Sequence, residues 1–385
     1  MVEDVVALGG PERPRGFRRR RQILGGLVLV VIALLAGARL LGGGPAGHPA
    51  RRASGPDRTV ALPPEYPGAV VARIPVSGVI SLTSDGTRAW AVTETGPPSD
   101  PYTSYQLVGI DLRLNRVVLR IGLGRQSPAV AAGGGTVWVT APYRPGRPQL
   151  ERIDPATGHV VALLHLPAGP CTYLTYSAGQ FYASCLIRMP NVSELFRFGP
   201  VASRASWRSG HLAAQIGPAA VAPHALWWVV GYSMVQGIAL DGRRHALLAP
   251  APWYQPAYSG NVSLAYGEGS MWEFTPGESE SVLRFDPGTG KVTRVYHSRG
   301  YDPASTGGLD FLTFGSGSLW FLDDGYPFSG VLRVSVATGR LLGGVPVPAG
   351  SCGQQPCSQI YATAGAVWVP ALGYLLRIDP GRMPR

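Results

Sequence analysis

The chain has 385 residues, of which 52 are glycine and 36 proline, with 45% hydrophobic and 15% charged. That much Gly and Pro excludes a protein of long helices, and a charged fraction well below the roughly 25% of a typical soluble domain excludes a charge-rich coiled coil. The formal net charge of +11 raises the question of nucleic acid, which depends on where the excess lies.

It lies first at the N-terminus. Residues 1–60 hold ten Arg against four Asp and Glu, a net of +6, leaving +5 for the other 325 residues. Six arginines fall between Arg13 and Arg21, and the apolar run Ile23–Ala38 follows at once. Extended to Gly44 past Arg39, which can snorkel, the run has 22 residues, about 33 Å as a helix against a hydrocarbon core of about 30 Å. The pattern predicts a basic cytoplasmic tail over residues 1–22 and a single transmembrane signal anchor over 23–44, oriented by its arginines. Ala36-Gly37-Ala38 also resembles a signal-peptide cleavage site, so retention and cleavage are both open. Either way the remainder lies outside the cytoplasm, and the expected location is the plasma membrane, single-pass, with the N-terminus inside. Residues 45–65, rich in Gly, Pro and Arg without period, read as a linker.

From residue 66 onward one phrase recurs: a short run, a Gly turn, then small-apolar-Trp-apolar. It centres on Trp90, Trp138, Tyr182, Trp227, Trp272, Trp320 and Trp368, at spacings of 48, 44, 45, 45, 48 and 48. Each unit then runs through a strand ending in Arg-Ile-Asp or a variant, a tight turn, and a β-branched stretch, as in LERIDPATGHVVALLHLP. About four strands per repeat of this length is the pattern of a β-propeller blade. The predicted fold is therefore all-β, a seven-bladed propeller over 66–385. The seventh unit ends at Arg385 without its outermost strand, and Val70–Val76 (VVARIPV) reads as that strand. An N-terminal strand closing the last blade removes the edge an open ring would expose. The repeated Trp is expected to pack against the neighbouring blade, and Asp154, Asp286 and Asp379 to cap the turns that follow them rather than to bind metal.

The units resemble the YVTN type of propeller repeat, best matched by TVWVTAP followed by LERIDPATGHVVALLHLP. The wider set includes YncE-like proteins, streptogramin lyases and the β-subunit of quinoprotein amine dehydrogenases. The resemblance implies a propeller over about residues 66–385 and, because such propellers include both binding modules and enzymes, leaves the activity open.

Four cysteines allow three pairings. Cys171 and Cys185 lie across one predicted hairpin, and Cys352 and Cys357 share one loop. Local geometry favours disulfides 171–185 and 352–357, consistent with an oxidising compartment.

In such a blade the first-to-second and third-to-fourth turns share one face, and the remaining connections share the other. The second set is longer and more varied, so any site is expected there. Units five, six and one bring acidic residues to it, among them Glu278, Glu280, Asp302, Asp310, Asp323 and Asp324, while units two and three bring Arg144 and Arg147. Tyr301 and Tyr326 are among the interleaved aromatics. A polarised, Tyr-rich rim suits a protein or peptide partner, with no nucleic acid and no cofactor. The alternative is a propeller lyase or hydrolase with a divalent cation on Asp310, Asp323 and Asp324, since carboxylate oxygens suit Ca²⁺ or Mg²⁺. Against it, the seven histidines form no His-x-His or Glu-x-His pair, and no serine has a G-x-S-x-G context. The expected role is a noncatalytic binding or scaffold module for a protein, peptide or envelope ligand.

Overall fold

The computed structural model describes residues 64–95, 104–124, 129–141, 150–188, 192–209, 212, 216–230, 234–240, 247–248, 263–275, 281–297, 309–323, 329–347, 360–363, 365–371 and 373–383. These residues form seven four-stranded antiparallel sheets. The inner strands are Val79–Ser84, Val130–Gly133, Cys171–Ser177, Ile216–Ala222, Ser263–Gly267, Leu309–Gly315 and Tyr361–Thr363. Each touches the next around the ring, and the last touches the first. That closure makes the architecture a seven-bladed propeller, and blades are numbered here in chain order.

The ring is closed as the repeat count requires. Val70–Ile74 pairs antiparallel with Tyr374–Ile378, giving the seventh sheet its outer strand from the opposite end of the chain. The seam is reinforced where the two chain ends meet: the Asp379 N–H donates to the Ala69 carbonyl at 2.9 Å. Just before the seam, residues 64–66 run parallel to the outer strand of blade six, with Tyr66 N–H donating to the Gly344 carbonyl and Gly344 N–H to that of Pro64, both at 2.8 Å.

The apolar core is divided in the same way as the ring. Seven hydrophobic clusters each join two neighbouring blades: Trp90 packs with Val130 and Val137 between blades one and two, Trp272 with Phe321 between five and six, and Trp368 with Ile74 and Leu82 between seven and one. The repeated tryptophans are fully buried. Removing such a side chain costs about 3–5 kcal/mol, because the site cannot collapse around the cavity. The aromatic repeat thus acts as the joint between blades.

One part of the expected architecture is corrected. A single transmembrane helix was expected over residues 23–44, yet among the described residues no helix is long and apolar enough to cross a membrane, and the helices there are two three-residue 3-10 turns at Pro67–Ala69 and Pro380–Arg382. Residues 1–63, with the basic tail, the apolar run and most of the linker, lie outside the described residues. The expectation rested on hydropathy, which measures transfer from water and does not itself specify secondary structure.

Candidate functional site

The two ends of the propeller differ in how their polar groups are used. At one end, the inner and second strands are joined by tight turns such as Ala178-Gly179, Glu268-Gly269 and Ser316-Gly317, whose paired positive φ angles (49° and 77°, 49° and 70°, 51° and 67°) suit two-residue hairpins. At the same end, the aspartate that follows the third strand of blades two, five and seven is occupied by its own turn. Asp154 accepts from the Ala156 N–H at 2.9 Å and the Thr157 hydroxyl at 2.8 Å. Asp286 accepts from the N–H groups of Gly288 and Thr289 and from the Thr289 hydroxyl, and Asp379 from the Gly381 N–H at 2.8 Å. The bonds to Asp154 and Asp286 favour the ionised carboxylate. The backbone N–H of Ala156 and the hydroxyl of Thr157 hold Asp154 below the usual carboxylate range, and Thr289 does the same for Asp286. The expected turn-capping role of these aspartates is what the geometry contains.

The carbonyls of those turns have a second use. Among the described residues a donor from the preceding blade ends on the turn of the next at six joints; the corresponding turn of blade four, residues 241–246, lies outside the described residues. Arg88 of blade one reaches the Pro155 carbonyl of blade two, and the Trp138 indole N–H the Pro200 carbonyl of blade three at 3.0 Å. The Trp227 indole donates to the Pro287 carbonyl of blade five at 2.9 Å, and the Tyr296 hydroxyl to the Val336 carbonyl of blade six at 3.0 Å. Arg333 Nη1 reaches the Pro380 carbonyl of blade seven at 2.9 Å, and Arg377 the Leu112 carbonyl and Asn115 Oδ1 of blade one. The turn after the third strand is thus a latch whose carbonyl receives the neighbour, and in blades two, five and seven Asp154, Asp286 and Asp379 hold its shape.

The other end carries the long connections, and there most of the expected site residues fall outside the described residues: Glu278, Glu280, Tyr301, Asp302, Asp324, Tyr326, Arg144 and Arg147, with Cys352 and Cys357. Asp310 and Asp323 are described by backbone. Asp323 pairs with Leu309, and Asp310 sits in the bulge between Leu309 and Phe311, so blade six brings the two residues to the same end of adjacent strands. Among the described residues no group of three or more metal-ligating side chains is assembled. Cys171 and Cys185 are disulfide-bonded, at paired positions of the first hairpin of blade three.

One inner-strand residue was not singled out by the repeat pattern. Tyr361 of blade seven is half-buried and packs against the hydrophobic cluster shared by blades seven and one. Burial pushes its phenol far above the ordinary tyrosine range; Tyr173 of blade three adds to the shift, and a backbone hydrogen bond at Leu82 of blade one opposes it. Residues on the inner strands of blades one, three and seven thus contribute to the surroundings of this side chain. At physiological pH the phenol remains protonated, a hydrogen-bonding group and not a base.

No family model and no curated protein matches the chain. Solved structures do. The β-propeller domain of Myceliophteria thermophila Cps50 (Swd1) aligns with a TM-score of 0.56 at 10% identity over 80% of this chain and 98% of that one. The computationally designed protein Ika8 aligns at 0.53 and 10% identity over 80% and 98%, and a chain of the mitotic checkpoint complex at 0.53 and 10% over 86% and 97%. The likeness is one of fold. It supports the propeller, and the YVTN resemblance does not extend to a matched family.

Proposed function

We propose that this chain is a noncatalytic, YVTN-like binding or scaffold propeller that takes a protein, peptide or envelope ligand on its long-connection end. The observation carrying this reading is the contrast between the two ends. The tight-turn end uses its carboxylates and carbonyls internally, as caps and latches, whereas the opposite end joins its strands through connections such as those from Thr95 to Ser104, Thr140 to Leu150 and Pro346 to Tyr361, free to vary on a rigid frame. The mix of Arg144 and Arg147 with Glu278, Glu280, Asp302 and Asp324 suits a partner of mixed charge better than nucleic acid. That one matched neighbour is a chain of the mitotic checkpoint complex agrees with an assembly role. The Cys171–Cys185 disulfide favours work in an oxidising compartment outside the cytoplasm.

Photo-crosslinking tests this directly. A photoreactive phenylalanine analogue at Tyr143 or Tyr326 is expected to capture a discrete partner in cells, and the same group at Ala156 or Gly288 on the tight-turn end is not. Capture only from the tight-turn end would reverse the assignment. A second reading, a metal-assisted propeller enzyme, has the register of Asp310 and Asp323 behind it. Saturable Mg²⁺ or Ca²⁺ binding by calorimetry, lost when Asp310, Asp323 and Asp324 become Asn, would favour it.

A further inference from the structure

Every open sheet needs its last edge protected, because unpaired N–H and C=O groups recruit another strand. The outer strands here show the usual protections. Blade one carries Arg116 and Arg120 within Arg116–Gly124, blade three Arg208, blade five Arg294 within Val292–His297, and blade seven Arg73 within Val70–Ile74. Blade four's outer strand has only two residues, Leu247–Leu248. In blade six, Leu341–Pro346 ends in proline, and residues 64–66 cover its edge.

Blade two differs. Its outer strand, Val160–Leu164 (VVALL), has five residues with no charge and no proline, and among the described residues no strand pairs with its outer edge. Val160, Val161 and Leu163 are 48%, 50% and 48% exposed. Of the eight exposed large hydrophobic residues among the described ones, these three, Leu114 and Val118 of blade one, and Val201 of blade three fall in three consecutive blades, all on outer strands or the turns leading into them. Exposed aliphatic side chains thus gather on the rim of blades one to three, and among the described residues blade two has the one outer strand longer than two residues with neither charge, proline nor cover.

We propose that this edge is a self-association surface whose occupant is a second copy of the chain, joined by antiparallel pairing of residues 160–164 about a two-fold axis. The segment suits itself. An axis at Ala162 puts the smallest side chain where the two copies face each other, and brings Val161 of one copy against Leu163 of the other, an aliphatic pair of the kind that stabilises sheets. The strand carries no charge to repel its copy, unlike the guarded strands, where a two-fold axis would oppose arginine to arginine. Isologous contact closes at two chains and does not propagate. A five-residue edge buries well under the roughly 800 Å² per partner of a standard interface, so association is weak and concentration-dependent. This inference is independent of the binding role proposed for the long-connection end.

Sedimentation velocity on the full chain, from about 1 to about 500 µM, is the test. The mean mass is expected to rise from the 40.7 kDa monomer toward twice that value. V161K/L163K is expected to weaken dimerisation at least about tenfold with an unchanged melting temperature, since both positions are solvent-exposed. Mixing V161K/L163K with V161E/L163E should restore a dimer that neither forms alone, as two-fold pairing of positions 161 and 163 requires. A chain monomeric throughout the range, a dimer indifferent to V161K/L163K, or a mixture that stays monomeric would each overturn the proposal. Growth past the dimer in the unsubstituted chain would do so as well, by excluding a closed two-fold contact.

Discussion

The joint between blades six and seven and that between blades four and five solve one problem with opposite chemistry. In blade six the third strand places Arg333 opposite Trp320; the guanidinium lies 5.3 Å from the ring centroid and crosses to the Pro380 carbonyl, while the indole N–H turns back to Gly315 of its own blade at 2.9 Å. In blade four the residue opposite Trp227 is Gly237, and the indole itself crosses to the Pro287 carbonyl. The acceptor stays where it was, on the next blade's turn, and only the donor changes. A ring of diverged repeats can thus lose its arginine at one blade and keep its latch, provided the ring is free to settle into the space the arginine vacates.

The largest effect expected from that contrast falls on Gly237. A Cβ there would sit 2.6 Å from Trp227 ring atoms, closer than packed atoms approach, and Trp227 is fully buried with no room to retreat. Gly237→Ala is therefore expected to destabilise by about 3 kcal/mol, the upper range for overpacking a core, read as a lowered urea midpoint at constant slope. If the arginine and glycine solutions were interchangeable at a fixed ring position, the alanine would be harmless.

A smaller effect separates the two donors. Arg333 is 3% exposed, and its Nε also donates to Ser318 Oγ at 2.9 Å. Arg333→Met keeps the bulk over Trp320 but leaves the Pro380 carbonyl without this donor, for an expected loss of about 2 kcal/mol. Trp227→Phe should cost about 1 kcal/mol more than Trp320→Phe, because only the former removes the donor that spans a joint. Equal costs for the two Phe substitutions, measured in one denaturation series, would show that the crossing bond contributes nothing.

Much of this frame was legible in the sequence, because a repeat averages out local ambiguity. The spacing of Trp90 through Trp368 counted the blades, and the missing last strand pointed to Val70–Val76 as its replacement. The Asp-Pro turns at Asp154 and Asp286 also disclosed their caps, since Asp followed by Pro and, two residues after the Pro, Thr-Gly is a local hydrogen-bonding pattern. The latch was not legible: Pro287 and Trp227 are 60 residues apart, and nothing along the chain says that a carbonyl of one turn faces the ring of the preceding unit. Tyr361 was hidden for a related reason, because its surroundings are drawn from blades one, three and seven, which no local pattern along the chain brings together. The long-connection end was legible only as composition, for loop residues such as Tyr301 and Tyr326 carry no periodicity from which a neighbour can be inferred. The apolar run 23–44 was legible only as hydropathy, and it lies outside the described residues.

The smallest expected effect concerns the turns themselves. Blade two joins its first two strands through Gly134-Gly135, with φ of 56° and 73°, and blade five through Glu268-Gly269, with φ of 49° and 70°. The backbone is nearly the same in both, but a glutamate held in the left-handed region brings its Cβ against the following carbonyl, at a cost of about 1–2 kcal/mol that glycine avoids. Glycine in turn widens the unfolded ensemble, which erodes part of its advantage. Asparagine avoids most of both penalties, since its short polar side chain tolerates this region and Asn-Gly is a favoured pair for a tight hairpin. Glu268→Asn is therefore expected to stabilise the chain by about 1 kcal/mol, and Gly134→Glu to destabilise it by at least as much. Gly134 has a second constraint that Glu268 lacks: a Cβ there would lie 2.6 Å from Pro200 of blade three. The asymmetry between the two substitutions, measured as the ratio of their shifts in unfolding midpoint, separates backbone strain common to both turns from the contact that only blade two makes with its neighbour.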